Sequence, residues 1–192
     1  MGTYSNVAKG LKLVFVAEIV AIAAAVFAMI PFIGVIGSIA SVVCAIIVLV
    51  GIKTAGSDSE GYNKAFNLSI ANIIVSIASA VLGLIPIIGP IIAGLLEAVS
   101  LVLTFLVVKH ICITTSQLAE NIGNADVAER GKKVWKWYKI VTIVGVIIGI
   151  LAVIPVVNII VAVPAIILGI FDIIVSILYL LFLYKSYNAF GA

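Results

Sequence analysis

The chain has 192 residues, 65% of them hydrophobic and only 10% charged, with a formal net charge of +3. An ordinary soluble domain is about a quarter charged, and a mean hydropathy of +1.40 leaves too few polar side chains to clothe a core in water. A water-soluble domain is thereby excluded, and the expected class is an all-α integral membrane protein.

The first apolar run, Leu11 to Ile30, is followed at once by Pro31 and a second run, Phe32 to Ile52. Proline cannot continue a helix without losing a hydrogen bond, and about twenty apolar residues suffice to cross a bilayer core of about 30 Å. The pattern predicts two crossings joined at Pro31, the first hairpin, over about residues 11–52. Glu18 interrupts the first run and sets it apart from a cleaved secretory leader.

A polar loop is expected over 53–64, with Ser57 and Glu60 at capping-box spacing. The second hairpin, about 65–113, turns at Ile85-Pro86-Ile87-Ile88-Gly89-Pro90. A second polar loop, 114–133, contains Asn124-Ala125-Asp126 as a helix start. The third hairpin, about 134–184, has a longer turn from Pro155 to Pro164. Six transmembrane helices in three tandem Pro-turn hairpins, forming a single membrane domain over 1–192, are the expected architecture.

The eleven Lys and Arg residues lie at the ends of the apolar runs or outside them, and none lies at a proline turn. The positive-inside bias then predicts a multi-pass protein of the cell membrane with both termini cytoplasmic. The densest group, Arg130, Lys132, Lys133, Lys136 and Lys139 interleaved with Trp135 and Trp137, suits a lipid-headgroup anchor, where rings sit at the apolar boundary and ammonium groups reach water. The same density of cations fits recognition of anionic lipid. Nucleic acid is not an expected partner, because the segment continues directly into an apolar run.

Within the runs, polar residues recur at matching places. Glu18, Thr142 and Asn72 precede Pro31, Pro155 and Pro86 by 13, 13 and 14 positions. Glu97 and Asp172 stand 12 and 13 positions before Lys109 and Lys185. Small residues share the face of each, for example Gly94 with Glu97 and Gly169 with Asp172. In lipid such faces let helix backbones approach, so an internal repeat and inward-facing polar ties between helices are expected. Intramembrane acids are costly, and they face protein or a hydrated cavity. Glu18, Glu97 and Asp172, with Asn72 and Thr142 as neutral ligands, are therefore candidates either for such ties or for a cation or proton site.

Chemistry is sparse elsewhere. There is one histidine, His110, and two cysteines, Cys44 and Cys112, in or beside apolar runs. These do not make a ligand set for a metal, and no nucleophile elbow or phosphate loop occurs. The expectation is a non-enzyme without cofactor, acting as a structural or accessory subunit or a self-assembling building block, with membrane lipids and copies of itself or other membrane subunits as partners. Two alternatives fit the same pattern: a small transporter or channel subunit that uses the intramembrane acids, and a membrane-permeabilising hairpin protein.

Overall fold

The computed structural model describes residues 4–28, 34–86, 88–152 and 155–191. Among these the protein is all-helical, with six helices: α1 (Ser5–Ala28), α2 (Gly34–Ala55), α3 (Glu60–Leu82), α4 (Gly89–Asn121), α5 (Ala125–Ala152) and α6 (Pro155–Gly191). Three stretches, Glu60–Leu82, Ile92–Asn121 and Val163–Gly191, are long and apolar enough to cross a membrane. The expected turn at Ile30-Pro31, together with Ile87 and Ile154 of the other two turns, lies outside the described residues.

The helices follow one another around a ring. Each packs on its neighbours in the chain, and α1 also packs on α6. Between α3 and α4 the bonded positions rise on one helix as they fall on the other. Tyr62 Oη meets Thr115 Oγ1 at 2.6 Å, Asn72 Nδ2 donates to Thr104 Oγ1 at 3.1 Å, and Ser79 Oγ donates to the Ala93 carbonyl at 3.2 Å. Between α1 and α2 the contact is backbone on backbone, since a Cβ on Gly10 would lie 2.7 Å from the Ala55 nitrogen. Small residues buy this closeness where hydrophobicity cannot drive association.

The polar connections are much shorter than the sequence suggests. Only Gly56–Ser59 separate α2 from α3, and only Ile122–Asn124 separate α4 from α5. The second break is a Schellman turn: Gly123 has φ 73°, its N–H bonds the Glu120 carbonyl at 3.0 Å, and the Asn124 N–H bonds the Ala119 carbonyl at 2.8 Å. Asn124 then caps the next helix, its Oδ1 accepting from the Val127 N–H at 3.1 Å. Helix α5 thus starts at the expected Asn124-Ala125-Asp126.

Two local expectations are corrected. The Ser57/Glu60 capping box does not form: the residue before α3 is Ser59, in an extended conformation and without a side-chain cap bond. Ser57 is used instead in the closing turn of α2, where its N–H bonds the Thr54 carbonyl at 3.2 Å. Its neighbour Asp58 caps another helix, accepting from the Asn6 and Val7 N–H groups of α1 at 3.0 and 3.1 Å. The second correction concerns Pro155 to Pro164, expected as a long turn. Helix α6 opens on Pro155 and carries Pro164 in its interior. A first-turn proline gives up no helical hydrogen bond, and membrane helices tolerate an internal one.

The core is concentrated at one end. Val7, Leu11, Ile52, Tyr62, Ile111, Ala119, Phe182 and Leu183 belong to one cluster of buried side chains drawn from α1, α2, α3, α4 and α6, and Val127 and Val134 add α5. Chain ends and connections gather there too, with the Tyr4 and Phe190 rings edge to face at 5.9 Å and Lys185 Nζ 2.8 Å from Asp126 Oδ2. Toward the other end, the apolar side chains are mostly exposed: Leu84 is 82% accessible, Ile160 70% and Leu95 66%.

Candidate functional site

Inside the ring, at the inner edge of the packed end, lies a cavity of about 260 Å³. Helix α1 contributes Glu18 and Ala21, α2 contributes Cys44, Ala45, Val48 and Leu49, and α3 contributes Ser69, Asn72 and Ile73. Thr104, Val107, Val108 and Ile111 come from α4, and Tyr179 from α6. The walls are therefore apolar apart from a carboxyl, a carboxamide, three hydroxyls and a thiol.

Most of those polar groups are committed. Asn72 donates to Thr104 and accepts from Ser100 Oγ at 2.6 Å, so its carboxamide bolts α3 to α4 through both ends. Ser76 adds a bond to the Asn72 carbonyl at 2.9 Å, and Ser69 bonds the Ala65 carbonyl at 2.9 Å. The last two stay within α3, whereas bonds between helices, such as those of Asn72 to Thr104 and Ser100, are worth about 0.6 kcal/mol on average in lipid. Glu18 and Tyr179 differ from them: among the described residues, neither side chain makes a hydrogen bond, and Glu18 has no ion pair. Among the described residues, no Lys, Arg or His lines the cavity.

Of the candidate residues read from the sequence, Glu18 and Asn72 are brought together here, and Glu97, Asp172 and Thr142 lie elsewhere. Glu97 is seven positions from Thr104 and Asp172 seven from Tyr179, two helical turns or about 10 Å along each axis. Both acids are exposed, Glu97 on α4 and Asp172 on α6. Neither makes an ion pair or hydrogen bond among the described residues. Thr142 lines a separate shallow cleft between α4 and α5 with Leu101, Val102, Phe105, Ile143 and Val146. Among the described residues, no three His, Cys, Asp or Glu side chains cluster as metal ligands.

The cationic segment lies on the first half of α5. Arg130 Nε bonds Asp126 at 2.9 Å, and Lys132 pairs with Glu120 across the α4–α5 turn. Asp126 also takes Lys185. These hydrogen bonds from Arg130 and Lys185 hold its carboxyl down at about 2. Lys133, Lys136 and Lys139 are exposed, with no ion-pair partner among the described residues. Trp135 and Tyr138 pack on Phe105, with ring centroids 4.9 and 6.3 Å away. Phe105 is one turn inside Lys109, so the aromatic part of the segment reaches deeper along α4 than that helix's own cation. Trp137 is 37% exposed, and its ring lines an apolar groove with Ile140, Val141, Pro164 and Phe171.

Thr104, Tyr179 and Ser69 escape a reading made one helix at a time. A signal for Thr104 exists: Asn72 and Thr104, and likewise Ser76 and Ser100, are equally distant from position 88. Polar residues symmetric about a turn meet across it. No family model, curated protein or solved structure matches the chain.

Proposed function

We propose that the chain is a non-enzymatic, multi-pass protein of the cell membrane that works by assembling, as a structural or accessory subunit or with copies of itself. In this reading α1–α2, α3–α4 and α5–α6 are three hairpins in tandem. The chain ends, both polar connections and the cations Lys53, Lys64, Lys132 and Lys133 lie on the cytoplasmic side by the positive-inside bias. Contacts of Asn6 with Asp58, Tyr4 with Phe190 and Asp126 with Lys185 support one common end for these segments.

The observation that carries the reading is the exposure of Glu97 and Asp172 beside exposed apolar residues. Asp172 is flanked by Phe171 at 46% and Ile173 at 63% accessibility, and Leu95 and Val99 flank Glu97 at 66% and 47%. An ionised side chain at the bilayer centre costs about 2.5–3.5 kcal/mol, so such residues are covered by protein or water. Small residues accompany both acids, and among the described residues nothing beyond the local helix backbone lies within 4 Å of where a Cβ on Gly94 or Gly169 would sit. These are faces another helix can approach closely.

Photocrosslinking tests it. A photoreactive amino acid at Ser176, on the Asp172 face, is expected to capture a second copy or another membrane subunit in near-stoichiometric yield in native membranes. The same group at Leu181, on a different face of α6, is expected to give lipid adducts. Lipid adducts alone at both positions would overturn the assembly reading.

A further inference from the structure

Among the described residues, the cavity holds one acid and no group that pairs with it. We propose that it is a binding site for a small lipophilic ammonium, a primary or secondary amine on a compact apolar body, with Glu18 as its counter-ion. This is independent of the assembly reading, which rests on the outward faces of α4 and α6.

The occupant's charge follows from the lining. An anion would face Glu18 with no Lys, Arg or His to hold it, and a zwitterionic phospholipid would bring a phosphate to the same disadvantage. A bare calcium or magnesium ion takes six or more oxygen ligands, whereas among the described residues Glu18 is the one carboxylate of the lining and Ser100 already takes one lone pair of the Asn72 carboxamide oxygen. A cation that needs only one or two hydrogen bonds and brings its own apolar body fits this lining best. Glu18 accepts from its N–H groups, and the aromatic side chain of Tyr179 lines the same cavity, a residue type that attracts an ammonium through its ring quadrupole.

The body of the ligand follows from the walls and the volume. Val48, Leu49, Ile73, Val107 and Ile111 are apolar, so the rest of the molecule is hydrocarbon or aromatic. A volume of about 260 Å³ lies just below the usual range for small-molecule sites, about 300–1,000 Å³. That limits the ligand to roughly one ring and a short chain.

Equilibrium binding to the full chain in phosphatidylcholine nanodiscs decides the matter, with radiolabelled 2-phenylethylamine as the probe at neutral pH. Saturable binding above that of protein-free discs is expected, and a buried charge-assisted hydrogen bond makes the neutral 2-phenylethanol weaker by about tenfold or more. Glu18→Gln is expected to reduce amine binding by about the same factor, while Glu97→Gln with Asp172→Asn leaves it unchanged. No saturable amine binding, equal binding of amine and alcohol, or unaltered binding by Glu18→Gln would each overturn the proposal. If Glu18→Gln does not fold, the contrast between amine and alcohol on the unaltered chain decides alone.

Discussion

The two ends of the helices are built for different surroundings. At the end that holds the chain termini, Tyr62, Leu183, Phe182 and Ile52 are 0–1% accessible, and hydroxyls buried there are bonded, Ser186 to the Phe182 carbonyl of its own helix at 2.7 Å and Tyr62 to Thr115 across α3 and α4 at 2.6 Å. At the other end comparable side chains stand open: Ile74 is 61% accessible, Ile77 60% and Ile166 67%. Where water reaches, apolar side chains gain by burial at about 25 cal/mol per Å². In lipid that gain vanishes and only close backbone approach and polar ties hold helices together. One chain thus carries a packed clasp and an open apolar half that lipid or other helices must cover.

The largest expected effects come from making the same substitution in both halves. Leu183→Ala removes a fully buried side chain and is expected to cost about 2–5 kcal/mol, read as a fall in thermal midpoint in detergent. Leu95→Ala, in the open half, is expected to change it by less than about 0.5 kcal/mol. Equal effects would erase the distinction.

Glycines sharpen it. A Cβ on Gly131 would lie 2.8 Å from Phe182 Cε2, so Gly131→Leu crowds the clasp and is expected to cost about 1–3 kcal/mol. A Cβ on Gly169 would meet nothing within 4 Å beyond its own stretch of helix among the described residues, so Gly169→Leu does not crowd the clasp. It is expected to leave the monomer's thermal midpoint unchanged while weakening assembly, measured as a shift of the complex toward monomer in native mass spectra.

How much of this division was legible beforehand differs by element. The apolar runs, the helix start at Asn124 and the absence of cations from the proline turns stand in the sequence directly. The clasp does not, because its core residues, such as Leu11, Ile52 and Leu183, are indistinguishable from the apolar residues around them until the helix crossings are known. Pro164 misleads for a related reason: a proline marks a break only where the surroundings do not continue the helix around it, and α6 runs on through it from Pro155. Of the candidate polar positions, Glu18 and Asn72 share a depth that spacing alone suggests. The displacement of Glu97 and Asp172 by two turns depends on how the helices slide against one another, which no single run encodes.

Smaller effects test how the clasp is fastened. Asp58→Ala removes the cap from the first turn of α1 and is expected to cost about 0.5–2 kcal/mol, seen as faster amide exchange at Asn6 and Val7 with little change in α4. The smallest is a pH effect. Asp126 is held down at about 2 by Arg130 and Lys185, below the ordinary aspartate value near 4. Its contribution is therefore fully present above about pH 4 and lost as pH falls toward 2. Asp126→Asn is expected to flatten that acid limb slightly, because the carboxylate is exposed and screened by solvent.

The central claim is that the open half of the ring is covered by protein when it stands in a membrane. Excising the protein together with its surrounding bilayer in a polymer disc and weighing the particle tests this most directly. A complex containing at least one further copy or another membrane subunit is expected, reduced to a single chain by Gly94→Leu with Gly169→Leu. A single 20.1 kDa chain surrounded only by lipid, in the unaltered protein, would contradict it.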